Sequence, residues 1–398
     1  MDIVTHAVSG LLVSQVLPRK PRTAWFPFFC VLAACLPDID ILFASTPSLF
    51  LNLHRGISHS LALVPFTALF LALIAWPLRR KATMHRLGIK TLWLCFASCL
   101  LIHIALDCFT TYGTMIFLPF SSYRVRLNAN FIVDLFLTIP LIVLFVCALV
   151  RKSYARILAM AGIAWLFLYP CTNIGLNALA GKHFADTLKA EGREVVRMEI
   201  LPDFFSPLFW RAIYVEKGQD GKLVQQEQSI SGLGNARGAA LSYTPVPINL
   251  QAHLAAQSGY CRDFLGLMLL PVYRPFSERG RQAAIVALSF LPPDEEHQTG
   301  ASDRGSHNLH PLDPHTAGTL NYLLVHDLRF GSGLAIGRKL LSLRPNAQLP
   351  FILLVVLDHE DNLMLERLIF SDARLDTGWQ APNPPEPQSF GRWLLGLD

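Results

Sequence analysis

Eight ionisable residues within the first 134 positions have the types and spacings of metal chemistry: His6, Asp38, Asp40, His54, His59, His103, Asp107 and Asp134. Imidazole nitrogens mixed with carboxylate oxygens suit zinc, manganese or iron, and the absence of cysteine from the set disfavours a closed structural zinc site. The spacing His103-x3-Asp107 puts two ligand-type side chains one turn apart on a helix face. Asp38-x-Asp40 follows Pro37, and His54-x4-His59 surrounds Gly56, so each pair converges only where the backbone is irregular. Singly, each has a plain alternative: His103 with Asp107 as a hydrogen-bonded pair between helices, Asp134 as a helix cap. Together they exceed the needs of one tetrahedral ion, which points to two or more divalent metals, zinc first. Arg55 could clamp a phosphate bidentately or simply bind lipid phosphate at the interface. Asp134 could orient a ligand histidine or act as a base.

The elements that must position these residues are apolar. The chain is 52% hydrophobic and 16% charged, against roughly 25% charged in soluble proteins. A spanning helix needs about 20 apolar residues, and candidates lie at 3–17, 25–43, 60–78, 91–104 with its flanks, 131–150 and 157–179. An all-α polytopic membrane domain of about six helices is therefore expected over residues 1–180. Basic residues alternate between its loops: Arg19, Lys20, Arg22, then Arg79, Arg80, Lys81, Arg86, Lys90, then Arg151, Lys152, Arg156 on one side, against Arg55, Arg124 and Arg126 on the other. The richer loops face the cytoplasm by the positive-inside rule, so the net charge of +5 reads as membrane topology and not as nucleic-acid binding. All eight ionisable residues then fall at the non-cytoplasmic end, where buried charge is costly and functional by default.

From residue 183 on the pattern changes to short alternating strands at 194–200, 210–216, 222–230, 322–328 and 351–357. Residues 181–398 are expected to form a soluble α+β or β-rich domain outside the cytoplasm. His307, His310, His315 and Asp313 lie in a Gly, Ser and Pro-rich stretch at 292–318 that reads as a solvated loop. The eight cysteines form no disulfide framework and no CxxC pair. HExxH, GxSxG and P-loop motifs are absent from the sequence.

Four motifs in order carry a family resemblance: Asp2-x2-Thr5-His6-x3-Gly10, Pro37-Asp38-Ile39-Asp40, His54-Arg55-Gly56-Ile57-Ser58-His59-Ser60, and His103-x3-Asp107-x2-Thr110-Thr111-Tyr112-Gly113. Together they resemble the bacterial inner-membrane metal-dependent hydrolases of the YdjM-like type, closely over residues 1–134 and loosely over the remaining membrane helices. Ser58 replaces the commoner threonine and keeps the hydroxyl. The resemblance implies a metal-dependent hydrolase with His6, Asp38, Asp40, His54, His59, His103 and Asp107 as ligands, and a distant similarity to zinc-dependent phospholipase C. The expected activity is hydrolysis, by metal-activated water, of a lipid or lipid-linked phosphoester at the outer face of the bacterial inner membrane. The expected partners are thus membrane lipids and a lipid-like substrate; the oligomeric state stays open. The alternatives are a di-iron membrane oxidase or desaturase, or a non-catalytic transporter or scaffold held together by metal. Transport would favour ionisable groups at the bilayer midplane, whereas here they gather at one end.

Overall fold

The computed structural model describes residues 1–17, 24–81, 88–218, 221–275, 320–334, 337, 339, 351–370 and 373–385. Arg19, Lys20, Arg22 and Arg86, and the expected loop at 292–318 with its histidines, lie outside the described residues.

The N-terminal half is helical: α1 (Ile3–Val16), α2 (Trp25–Cys35), α3 (Pro47–Leu53), α4 (Val64–Ala75), α5 (Ile89–Cys108), α6 (Leu135–Val150) and α7 (Ala155–Ala190). The expected apolar segments all fall on helices, but six full spans are not shown. Trp25–Phe43, Ile89–Cys108 and Lys152–Ala190 are long and apolar enough to cross a membrane, and Pro47–His59 with Val64–Leu78 makes a fourth candidate only as a pair bent by 75°. At about 1.5 Å per residue, the 14 residues of α1 reach ~21 Å and the 16 of α6 ~24 Å, short of a hydrocarbon core of about 30 Å.

Small residues let these helices approach. Ala33, Ala34, Ala68, Ala72, Ala75 and Ala159 are fully buried, and α1 lies against α2, α5, α6 and α7. A Cβ on Gly10 would sit 2.6 Å from the Cys30 carbonyl oxygen, so α1 and α2 meet at backbone distance only because residue 10 is glycine. The outward surface is the reverse: Phe66, Phe70, Leu73, Ile157 and Leu168 are exposed. Large apolar side chains exposed along several helices are costly in water and match lipid.

Helix α7 continues beyond residue 180 to Ala190, where its buried Phe184 and Leu188 pack on the first strands of the C-terminal domain. That domain is one antiparallel sheet in sequence order: β1 (Val195–Pro202), β2 (Phe209–Lys217), β3 (Leu223–Ser231), β4 (Arg237–Pro245), β5 (Pro271–Pro275), β6 (Asn321–Asp327), β7 (Phe351–Leu357) and β8 (Leu363–Phe370). Helices α8 (Ile248–Gln257) and α9 (Gly259–Leu267) link β4 to β5. Strand β7 is buried along its whole length, which its unbroken run Phe-Ile-Leu-Leu-Val-Val-Leu requires. The core under it is continuous with the helical region, since Leu51 and Tyr112 join Phe264, Val325, Phe351 and Phe370.

Candidate metal centre

Four segments meet at one end of the bundle. Helix α1 brings His6 in its first turn, where Asp2 caps the helix by accepting from the Thr5 amide (3.0 Å) and hydroxyl (2.6 Å). The tighter 3-10 continuation of α2, Leu36–Phe43, brings Asp38 and Asp40. The link between α3 and α4 brings His54, Arg55 and His59; it turns on Arg55, whose φ of 59° is left-handed, before the short 3-10 turn Ile57–His59. The last turns of α5 bring His103 and Asp107.

Asp38, His59, His103 and Asp107 form the tightest group, and one ligand atom from each lies within 4.8 Å of the others. His59 Nε2 is 3.0 Å from His103 Nε2 and 3.1 Å from Asp107 Oδ2. His103 Nε2 is 3.5 Å from Asp107 Oδ2, and Asp38 Oδ1 is 3.6 Å from both imidazoles. A tetrahedral ion with bonds of ~2.0–2.1 Å spaces its ligand atoms roughly 3.3 Å apart, so these separations fit one divalent cation.

The histidine tautomers support the same conclusion. His103 Nδ1 donates to the Ala34 carbonyl oxygen at 2.6 Å, which leaves Nε2 with its lone pair facing the group. His59 Nδ1 donates to Ser58 Oγ at 2.9 Å, and the Ser58 hydroxyl donates in turn to Asp40 Oδ2 at 2.8 Å. Two imidazole Nε2 atoms 3.0 Å apart must share either a proton or a metal ion, since two bare lone pairs at that distance repel. Outer partners of this kind fix the ring that binds a metal, so Ser58 and Asp40 are built to orient His59.

Asp40 and His54 stand beside the group. His54 Nδ1 is 3.1 Å from Asp40 Oδ1, and Asp40 Oδ2 also accepts from the Arg55 amide at 3.1 Å. His6 is fully buried and stacks on the His103 ring at 3.8 Å, its Nε2 3.4 Å from Asp107 Oδ1 and 3.9 Å from Asp38 Oδ2. Arg55 directs Nη2 to Asp107 Oδ1 at 3.1 Å and donates from Nη1 to Thr110 Oγ1 at 2.6 Å. The Met1 amino group reaches the same Asp107 oxygen. Asp38 is 17% exposed while His59, His103 and Asp107 are fully covered, so the centre opens past Asp38.

Asp134 keeps other company. It caps α6 through the Leu137 amide (3.0 Å) and accepts from Asn130 Nδ2 (2.7 Å) and the Tyr169 hydroxyl (3.0 Å). Ser206 Oγ, from the sheet domain, lies 3.4 Å from it. These contacts tie α6, α7 and the sheet domain together, and none supports the catalytic role expected of Asp134.

Residues not singled out from the sequence hold the centre in place. Arg124 donates to the Leu51 carbonyl oxygen at 2.9 Å and bonds more weakly to those of His54 (3.5 Å) and Gly113 (3.4 Å), clamping the loop that carries His54 and Arg55. Tyr112 sits under the guanidinium groups of Arg55 and Arg124 and packs against Phe330 and Phe351 of the sheet domain. Arg329 donates to the Thr111 carbonyl oxygen at 3.3 Å, and Phe50 of α3 contacts Phe351 and Phe370. Tyr112 had a signal, its place in the fourth motif; Arg124 had none, because a lone arginine in a loop resembles any interfacial cation.

The apolar helices and this buried group define a membrane protein with a His and Asp cluster that could bind a metal ion. Residues 1–182 match the sequence model of the family described as YdjM inner membrane protein, the resemblance that the four motifs carry. The chain is also 26% identical over 298 residues to a Bacillus subtilis (strain 168) protein named Uncharacterized protein YfhP. That match covers 69% of this chain and 81% of the relative, so it extends past residue 182 into the sheet domain. No solved structure matches the chain.

Proposed function

We propose that the protein is a membrane-bound metal-dependent hydrolase that cleaves a phosphoester of a lipid or lipid-linked substrate. The observation that carries this reading is the group of four donor atoms from Asp38, His59, His103 and Asp107, five of whose mutual distances run from 3.0 to 3.6 Å. Those residues would hold one divalent ion, zinc by ligand type, with manganese or iron as alternatives. Bound there, such an ion acidifies water toward neutral pH and neutralises charge on phosphoryl oxygens. The chain's own groups do the rest. Asp40, through Ser58, keeps the His59 proton on Nδ1; Ala34 does the same for His103. Arg55 steadies Asp107 and retains a buried Nε with no partner, a donor available to a substrate oxygen.

A lipid substrate is favoured because the centre lies at one end of the apolar helices, where headgroups are. The distribution of loop charges supports an orientation with that end and the sheet domain outside the cytoplasm. An impermeant maleimide applied to intact cells should label Ile248→Cys and spare Gly88→Cys; the opposite pattern reverses the orientation.

Detergent-purified wild type should carry zinc, manganese or iron, and His103→Ala or Asp107→Ala should lose it while still inserting. The loaded wild type should hydrolyse phosphoesters in a panel that includes phospholipids, and the chelated form should not. Wild type without metal removes the reading. Metal-loaded protein inactive across the panel leaves a non-catalytic centre that ties helix ends together, and iron with oxygen-dependent turnover on acyl chains moves the assignment to an oxidase.

A further inference from the structure

Away from the metal centre the helical half buries a further carboxylate, and it lacks a counter-charge. Asp134 starts α6 at 1% exposure, and every donor it meets is neutral: Asn130 Nδ2 at 2.7 Å, the Leu137 amide and the Tyr169 hydroxyl at 3.0 Å, with Ser206 Oγ at 3.4 Å. Among the described residues no basic side chain pairs with it. The oxygens around it are also short of donors. The Tyr169 hydroxyl has one proton and three acceptors in reach: Asp134 Oδ1 at 3.0 Å, Asp134 Oδ2 at 3.1 Å and the Ser206 carbonyl oxygen at 2.9 Å. Asn130, whose nitrogen bonds to Asp134, is fully buried with its Oδ1 unpartnered. Asn173 stands one turn along α7 beside the Tyr169 hydroxyl, 1% exposed, and neither of its carboxamide atoms is paired. Buried oxygens in this state are costly and call for an explanation.

We infer that these oxygens hold a sodium ion, taken up by the Asp134 carboxylate, the carboxamide oxygens of Asn130 and Asn173, the Tyr169 oxygen and the Ser206 carbonyl oxygen. Carboxylate, amide, hydroxyl and carbonyl oxygens are the donors that hard cations take, and no imidazole or thiolate stands among them to attract zinc. The charge decides the valence. One carboxylate cancels one monovalent charge, whereas a divalent ion leaves a buried positive charge and a water molecule leaves the negative one, each costly in an enclosed site. The oxygens stand 2.9 to 3.4 Å apart. They need to move by only a few tenths of an ångström to surround an ion of calcium's or sodium's size, with bonds of about 2.3–2.6 Å. The ligands come from the segment before α6, from α6 and α7, and, through Ser206, from the link between β1 and β2. The ion therefore fastens the sheet domain to the helices, and it does so whether or not the His and Asp centre carries a metal.

Thermal unfolding of the full chain in detergent, with EDTA throughout to remove divalent ions, tests the site. Wild type should unfold about 2–3 °C higher in sodium chloride than in N-methylglucamine chloride of equal ionic strength, with a saturable dependence on sodium. Asp134→Asn keeps a helix cap and removes the charge, so it should unfold at the same temperature in both salts. Wild type should also broaden the sodium-23 magnetic resonance more than Asp134→Asn does. No sodium response in wild type, or an equal one in Asp134→Asn, overturns the site. Stability that ignores sodium and rises as pH falls toward 5.5 replaces the ion with a proton on Asp134, and an equal rise in potassium chloride overturns the choice of sodium. Asn173→Leu separates a ligand from an orphaned amide. It should lose most of the sodium response, whereas a variant that gains stability and keeps the response overturns the role of Asn173.

Discussion

Both halves of the molecule bury charge, but they satisfy it differently. In the sheet domain the buried charges of Arg211, Arg329, Asp203 and Glu366 are answered by the protein. Arg211 meets Glu227 at 2.8 Å and the carbonyl oxygens of Gly331 and Leu328 at 2.7 and 2.6 Å. Arg329 meets Asp327 at 2.9 Å, Asp203 accepts from Ser332, and Glu366 accepts from Ser258. In the helical region two carboxylates, two imidazoles whose Nε2 atoms lie 3.0 Å apart and an unpartnered His6 share one enclosure, in which Arg55 and the Met1 amino group answer only Asp107. A closed network stabilises by itself; an open one requires something from outside. Burial alone therefore does not mark a site, whereas metal-ligand side chains gathered with unmet donors and acceptors point to one.

The contrast breaks most readily by removing either partner. Arg211→Met leaves Glu227 buried without its cation, a loss of about 3–5 kcal/mol that added metal should not recover. Chelating the wild type should cost a comparable amount, since an ion at a thousand times its Kd contributes about 4 kcal/mol, but this loss should reverse on adding zinc. Thermal unfolding in detergent, with and without chelator, distinguishes the two. If Arg211→Met is rescued by zinc, or chelation leaves wild type unchanged, the two halves do not differ as argued.

A smaller effect sharpens the metal side. Ser58 relays between His59 and Asp40 and touches no proposed ion, so Ser58→Ala should weaken metal affinity by about 10–100-fold, the usual effect of losing an outer partner. Ser58→Thr keeps the hydroxyl and should bind as wild type does. Competition with a chromophoric chelator measures both. Equal affinity in Ser58→Ala would reduce the relay to a turn contact.

Much of this was legible in the residues. Apolar runs located α1, α2, α4, α5, α6 and α7, because a lipid-facing helix tolerates so few charges, but not the short α3 at Pro47–Leu53; the alternation at 210–216 and 222–230 marked β2 and β3. The four motifs named all members of the tight group. What the residues could not show was which side of a turn each faces. Asp38 and Asp40 are identical in type and two apart, yet one joins the group and the other turns to Ser58 and His54. The 75° bend between Pro47–His59 and Val64–Leu78 falls at the break over residues 60–63, inside a stretch whose apolar pattern runs on without interruption. Strand β4 escaped because it is exposed along most of its length, and β8 because Glu366 and Arg367 interrupt its apolar run.

The smallest expected effect lies in the sheet domain and tests whether its charges are as closed as they look. His326 on β6 is 4% exposed, with Nδ1 unpartnered, and burial with Arg274 nearby pushes its pKa down to about 3. Folded protein therefore keeps this ring neutral where an unfolded chain would protonate it near 6.5. The unfolded state binds the extra proton, so stability is full above pH 6.5 and falls as pH drops toward 3. By pH 5.5 the loss from this one group is about 1.4 kcal/mol. His326→Phe removes the titrating ring and should flatten thermal stability between pH 7.5 and 5.5 relative to wild type, with zinc saturating in both. An unchanged pH profile in the variant means the ring finds a partner on protonation, and the sheet domain, like the bundle, then holds a charge site that its resting hydrogen bonds do not reveal.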